Sequence, residues 1–469
     1  MTDIASLKAA LGAIKIEENP AIVKQKSRDF FWYSPILKRQ LDHVTGDIVV
    51  SPASKAELAT VLAACHRLGI AVTPRGTGTG NYGQAMPLSG GVVLDLSLMN
   101  KVLAIRPGVV VAEPGAILSE IDKETRAHSA QELRLHPSTY HTATIGGFIA
   151  GGSGGIGSIK WGGLRDYGNI IRLEVMTMEA EPRLLTLTGA DLHKVTHAYG
   201  TNGVITEVEV PLAPAYDWVD VILGFDDLRA AATYANALGE QDGLLLKELS
   251  VIAAPAPHDY LLRHQKYLPR DKHVVIAVVA AQALDAMLAF TVRARGAEVL
   301  FRRDTLSEVE LKGLPPGFEL VWNHTTLRAL RVDPKITYLQ VLYPFPTQID
   351  TLMRIHEHFG DEVACHLEFV RFDGKVTCFG LPMVRFTSEE RLEEIMRLHE
   401  KMGAPIFNPH RYTLEEGGMK QTDAAQLAFK READPDGLLN PGKMIAWEDP
   451  NFDFSSDKIF LFPGLEAVG

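Results

Sequence analysis

Cysteine is scarce. The 469 residues hold three, Cys65, Cys365 and Cys378, odd in number and far apart. That argues against a disulfide framework and fits a reducing cytoplasm; Cys365 and Cys378 read as small buried side chains. It also leaves no cysteine cluster for an iron–sulfur centre. No run of 18 apolar residues is present, so no transmembrane helix is expected. The opening MTDIASLKAALGAIKIEENP lacks a basic start followed by an apolar core, so no secretory signal is expected. Positive charge is not in excess either: net charge is −11, which makes nucleic acid an unsuitable partner. What remains is the composition of a globular enzyme, 46% hydrophobic with mean hydropathy +0.02, and a length that calls for two or three domains.

Glycine, by contrast, is abundant and concentrated. Residues 74–84, PRGTGTGNYGQ, place glycines at 76, 78, 80 and 83, with Thr77, Thr79 and Asn81 between them. A helix and short strand precede the run, and the apolar GGVVLDLS strand follows it. Bare N–H groups with small hydroxyls among them suit a diphosphate; a flexible hairpin turn is the plainer alternative. The run enters a strand rather than a helix, so it is not a Rossmann fingerprint, and no Gly-Lys-Ser/Thr follows, so it is not a Walker loop. A second stretch, 136–168, carries ten glycines with Ser and Thr neighbours. Two such loops can wrap one long cofactor from two sides.

These motifs resemble a known family. The carriers are Pro74-Arg75-Gly76-x-Gly78-Thr79-Gly80, the strand 91–97, Pro137-Ser138, Thr144-Ile145-Gly146-Gly147, Gly200-Thr201-Asn202-Gly203-Val204-Ile205-Thr206, and Leu439-Asn440-Pro441-Gly442-Lys443. In order and spacing they are similar to the vanillyl-alcohol oxidase/p-cresol methylhydroxylase (PCMH-type) group of FAD-binding oxidoreductases, in the branch with the glycolate oxidase flavin subunit and flavin D-lactate dehydrogenases. The resemblance is strong over about 40–214 and the last 40 or so residues, and weak between. It implies an α+β chain: a PCMH-type FAD-binding domain of two α+β subdomains, and a ferredoxin-like antiparallel-sheet cap. It implies FAD held by Pro74, Arg75, Gly76, Thr77, Gly78, Thr79, Gly80 and Gln84, with 75–79 on the diphosphate. Pro137, Thr144 and Gly147 would line the ribityl and diphosphate path. Gly151, Gly154 and Gly157 would let backbone lie against the cofactor, and Ile205 would meet the adenosine half. Arg75 has a second reading, as a brace that holds the loop. Relatives that tether flavin use a histidine in or near the first loop; this loop has no His or Cys, so noncovalent FAD is expected.

The organisation read along the chain is an N-terminal helical arm (1–40), the FAD-binding domain (41–214), the cap (215–405) and a C-terminal segment (406–469) that returns to the FAD domain. Within it, Ser54 is the expected N-cap and Gly69 the stop of a helix with Leu58, Val61, Leu62 and Cys65 on one face. The aromatic quartet Phe30, Phe31, Trp32, Tyr33 packs the arm onto the body, with a lid or a homodimer contact as the sharper alternative.

Oxidising an alcohol carbon at a flavin requires a base for the hydroxyl proton and a group that fixes the substrate. His410, Arg411 and Tyr412 form one candidate set: base, bidentate carboxylate clamp and hydrogen-bond donor. Asn323 and His324, in a polar-aromatic turn, form the rival. His366 and Glu368 alternate on a strand and share a face, as a metal pair would. Metal-using hydroxy-acid relatives carry Gly-His-x-Gly-Asp-Gly-Asn-x-His and a later Glu-His-Gly, where this chain has CHLEFVRFDG and YTLEEGGM; no metal is therefore expected. The expected function is oxidation of a small hydroxy acid or alcohol by hydride transfer to FAD, in the cytoplasm, with oxygen, a quinone or a redox protein as acceptor. The alternative is a flavin-domain subunit of a larger oxidase complex.

Overall fold

The computed structural model describes residues 3–467. Its contacts divide the chain into two compact units. Unit 1 comprises residues up to Ser153, Leu164–Ala215, and Asn408 onward; unit 2 comprises Gly154–Gly163 and Tyr216–Phe407.

Unit 1 holds two sheets. The first joins β1 (Lys15–Glu17), β2 (Ile48–Ser51), β3 (Val72–Arg75) and β4 (Val92–Asp95) in the order β1-β2-β4-β3. Strands β2 and β3 each pair β4 in parallel. The run 76–91 thus connects parallel neighbours, which rules out the hairpin alternative. Buried on both faces, β2 and β4 read as unbroken apolar strings, IVV and VVL. Helix Lys55–Leu68 packs Leu58, Val61, Leu62 and Cys65 into the same core as Ile48, Val72, Val92 and Leu94. Ser54 accepts from Glu57 N at its start, and Gly69 ends it at φ 61°. The second sheet contains β5 (Val102–Arg106), β6 (Val109–Ala112), β7 (Gln131–Leu133), β8 (Arg172–Met176), β9 (Leu184–Thr188) and β10 (Val204–Pro214). Central β10 pairs β6, β7 and β8, all antiparallel.

The arm is no separate body. Strand β1 extends the first sheet through β2, with helix Ile4–Leu11 before it in the chain and helices Pro20–Lys26 and Pro35–Leu41 after it. Phe31 is fully buried with Leu37, Leu41 and Met86, and Trp32 and Tyr412 pack against that cluster.

Unit 2 is built on an antiparallel sheet. Its strands are β11 (Trp218–Phe225), β12 (Leu246–Ile252), β13 (His273–Ala280), β14 (Glu298–Arg302), β15 (Ile336–Tyr338), β16 (Val341–Tyr343), β17 (Val363–Ala364), β18 (His366–Phe372), β19 (Lys375–Gly380) and β20 (Met383–Arg385). Seven run in the order β14-β11-β13-β12-β18-β19-β16, and β15-β20-β17 form a small sheet beside them. The stretch 154–163, read from the sequence as part of the FAD domain, belongs here. Gly157 N donates to Lys247 O at 2.7 Å, and helix Ser158–Trp161 packs on β12 and β18. All three cysteines are buried and free. Among the described residues no helix is long and apolar enough to cross a membrane.

Candidate active site

The first glycine loop leaves β3 with its carbonyls already engaged. Arg75, buried at 7% exposure, donates Nε to Gly76 O at 3.2 Å, Nη2 to Thr77 O at 2.8 Å and Nη1 to Arg28 O at 3.1 Å. Phe30 N donates to Gly80 O at 2.7 Å, and Lys443 Nζ to Gly83 O at 2.6 Å. Among the described residues, the backbone N–H groups of Thr77, Gly78, Thr79 and Gly80 donate to no protein acceptor, and the Asn81 Nδ2 amide is buried without one. The loop therefore keeps the carbonyls of 76, 77, 80 and 83 turned to the protein and the N–H donors of 77–80 in reserve.

Its glycines are needed because neighbours press on them. A Cβ at Gly76 would stand 2.0 Å from Thr144 Oγ1, and one at Gly78, where φ is +73°, 2.0 Å from Arg75 Nη2. Thr144 joins the two loops: it touches Gly76 and its hydroxyl accepts from Gly147 N, capping helix Ile145–Gly151. The N–H groups of Ile145 and Gly146 go to Ala116 O and Pro114 O. This helix start thus has its first donors occupied, and a Cβ at Gly147 would stand 2.9 Å from Thr144 Oγ1. Gln84 bridges as well, with Oε1 accepting from Tyr82 N at 3.0 Å and Nε2 donating to Gly151 O at 3.0 Å. Pro137 is half-buried beside His136, and Ile205 lies at a bulge in β10. Gly154 and Gly157 sit in unit 2.

The C-terminal segment returns to this loop through hydrogen bonds. Leu439 bridges to Val72 on β3, and Asn440 Nδ2 donates to Gln84 O at 2.8 Å and Tyr199 O at 2.6 Å. Lys430 Nζ donates to Thr201 O at 2.8 Å, and Lys420 Nζ to Thr196 O at 2.6 Å. Burial holds the Lys443 amine down at about 7, with the buried Asp29 carboxylate pulling the other way. Asp29 accepts from Phe31 N and Ala85 N. Asp29, Lys420 and Lys430 did not stand out in the sequence, whereas Lys443 closes the 439–443 motif; for Asp29 the signal was an acid just before an aromatic quartet.

His410, exposed at 1%, contacts Ser34 Oγ through Nδ1 at 2.8 Å. Ser34 Oγ also accepts from Leu37 N, so the hydroxyl joins the His410 ring to the start of helix Pro35–Leu41. His410 thereby ties the C-terminal segment to the arm. Arg411 is half-buried, and Tyr412 packs on the Phe31 cluster with Lys443 Nζ 4.9 Å from its ring centre.

In unit 2, Asn323 and His324 begin helix Asn323–Val332, directly after Trp322, whose φ is 53°. The Asn323 Oδ1 atom is buried without a partner. Burial, then Arg328 and Arg331, lower His324 to about 4, so its ring is neutral at physiological pH. His366 and Glu368 do share a face: Nε2 and Oε1 are 2.6 Å apart, both side chains fully buried. They bond each other, and among the described residues no group of three His, Cys, Asp or Glu could hold a metal ion. Glu248 completes the cluster, hydrogen-bonded to Glu368. The sequence reading passed over Glu248, although an acid inside the apolar string LKELSVI is the signal that would have found it.

Residues 46–185 match the family model for an FAD binding domain. The chain is 32% identical over 446 residues to the glycolate oxidase subunit GlcD of Bacillus subtilis, covering 85% of this chain and 89% of that protein. The chain belongs to the PCMH-type FAD-binding oxidoreductase family. A D-lactate dehydrogenase of Anaerostipes hadrus is 30% identical over 197 residues, 39% of this chain and 40% of that protein. In fold, the flavoprotein is similar to alkyldihydroxyacetonephosphate synthase, with TM-score 0.70, 15% identity, and coverage of 94% and 84% of the two chains.

The residues present fit FAD, the cofactor of this family. Four unengaged N–H groups in succession, an unpartnered Asn81 amide, and glycines where a Cβ would clash form a cradle of neutral donors for a diphosphate. The flavoprotein is an oxidoreductase acting on CH–OH groups.

Proposed function

We propose that this flavoprotein oxidises a small 2-hydroxy acid to the 2-oxo acid with noncovalent FAD. The observation that carries the reading is the first glycine loop, carbonyls tied inward and donors unengaged. The substrate class is supported by the names of two relatives, a glycolate oxidase subunit and a D-lactate dehydrogenase. FAD, when bound, supplies the acceptor for the hydride leaving the substrate carbon. The chain's part is to bind the cofactor, orient the substrate and take the hydroxyl proton.

For the proton, His324 is the better base. Its ring is neutral at physiological pH, the form that accepts a proton, while His410 is engaged by Ser34 through Nδ1. Asn323 would orient the hydroxyl by donating from its side-chain amide to the hydroxyl oxygen, leaving the hydroxyl proton to His324. Arg411 would hold the carboxylate.

The test is anaerobic. Purified holoprotein is mixed with D- and L-2-hydroxy acids, aryl alcohols and sugars, and flavin absorbance is followed. Bleaching by a 2-hydroxy acid with no other protein present supports the proposal and excludes a dependent subunit. Bleaching by aryl alcohols or sugars alone overturns the substrate class, and a colourless protein that takes up no FAD overturns the cofactor assignment.

A further inference from the structure

Trp322 stands in an unusual backbone conformation. It holds φ 53° and ψ −142°, a conformation that a bulky L-residue adopts only when its surroundings impose it. The surroundings are two buried carboxyls. Trp322 N donates to Glu368 Oε1 at 2.5 Å, and its indole Nε1 donates to Glu248 Oε2 at 3.0 Å. Strand register explains why both acids are there. β12 and β18 pair antiparallel with Ser250 opposite Glu368 and Ile252 opposite His366, so Glu248, two residues beyond Ser250, lies on the same face. Glu248 and Glu368 hydrogen-bond each other, which requires a shared proton, and His366 Nε2 closes the cluster on Glu368. Side chains this costly to bury are retained where they fix one geometry.

The geometry they fix is the place of the indole. A Cβ on Gly154 would lie 3.9 Å from Trp322 Cη2, so the indole borders the Gly154–Gly157 turn. Asn323 and His324 follow Trp322 directly in the chain. Both of its N–H donors are engaged inward, so the indole can offer a ligand only its apolar ring. It cannot hydrogen-bond a hydroxyl or a carboxylate.

We propose that Trp322 determines substrate specificity, its ring selecting 2-hydroxy acids with a branched or aromatic side chain over glycolate, and that Glu248 and Glu368 are positioning residues that hold it. This rests on the functional reading above, in which the 323–324 turn serves the reaction. A hydrophobic contact of this kind discriminates by about 10- to 200-fold per methylene-sized group.

The experiment measures anaerobic flavin reduction in FAD-loaded protein with glycolate, lactate, 2-hydroxyisocaproate and 3-phenyllactate, each chiral acid as both enantiomers. The parent is expected to favour the larger acids over glycolate by at least about 10-fold in rate over apparent Kd. Trp322→Ala should bring that ratio to within about threefold, Trp322→Phe should keep most of it, and Trp322→Leu carries the comparison if the alanine variant does not retain FAD. Glu248→Leu, which removes the indole's acceptor, should lower the ratio as Trp322→Ala does, and Glu248→Gln should restore most of it. Preference for glycolate in the parent, or an equal loss toward every acid in Trp322→Ala, overturns the inference while leaving the proposed function intact. If no hydroxy acid reduces the flavin, the proposed function falls and this inference with it.

Discussion

Removing Arg75 separates two ways in which an arginine can serve a diphosphate loop. Its guanidinium reaches Gly76 O, Thr77 O and Arg28 O at 2.8–3.2 Å. Hydrogen bonds from a charged donor are each worth about 1.5–3 kcal/mol. Burying the guanidinium opposes much of that sum, and water can replace the donor at the half-exposed Gly76 and exposed Thr77. Arg75→Met is therefore expected to cost about 1–3 kcal/mol of stability. The larger effect falls on the cofactor. With the carbonyls released, the free N–H groups of 77–80 are no longer held ready, and FAD should bind about 10- to 100-fold more weakly, or 1.4–2.7 kcal/mol. The assay is titration of flavin-free protein with FAD by fluorescence at low and high salt. A bracing arginine predicts that Arg75→Lys is nearly as poor as Arg75→Met, because an ammonium lacks the fork that spans three carbonyls, and that the loss is the same at about 50 and 500 mM salt. An Arg75→Lys variant that binds FAD like the parent, or a loss that vanishes in salt, would refute bracing and restore direct contact with the diphosphate.

Other outcomes follow from the same geometry. Thr144→Val keeps the shape but removes the cap on Gly147, costing about 1 kcal/mol in denaturant melts. Gly76→Ala, whose Cβ lands 2.0 Å from Thr144 Oγ1, should cost about 1–3 kcal/mol and lower the flavin-to-protein absorbance ratio; full occupancy would contradict the contact between the loops. Burial pushes the Glu368 carboxyl from 4.5 to about 8. The folded state then keeps a proton that the unfolded chain loses, so the stability from this group is complete below about 4.5 and lost as pH rises towards 8. Glu368→Gln should consequently gain Tm relative to the parent between pH 5 and 8, at most about 1.4 kcal/mol per pH unit, and a pH-independent difference would argue against a protonated Glu368. With His324 as base, kcat/KM should stay level as pH falls from neutral and drop only near its pKa of about 4; a fall centred at the ordinary 6.5 would exclude it.

The first glycine loop was legible because its requirements are local. Backbone approach demands glycine wherever the chain stands, and apolar strands on either side fix where the loop begins and ends. The capped helix Lys55–Leu68 and the strand 204–214 were legible for the same reason, since caps and apolar periodicity act within a few residues. The 154–163 stretch was harder. Its glycines look like those of 146–152; the bond from Gly157 N to Lys247 O, ninety residues away, and the packing of helix Ser158–Trp161 on β12 and β18 assign it to unit 2.

The sequence by itself determined a two-loop FAD-binding chain with an antiparallel-sheet unit and no membrane-spanning helix. It left open which groups Arg75 bonds within the protein, how the quartet at 30–33 packs, and what surrounds His366 and Glu368. Tertiary structure decided these, because each depends on partners distant in the chain: Lys443 meets Gly83, Ser34 meets His410, and Glu248 meets both Glu368 and Trp322. A hydrogen bond between residues hundreds of positions apart leaves no periodicity in the sequence; it exists only once the sheets and their register have brought the two groups together.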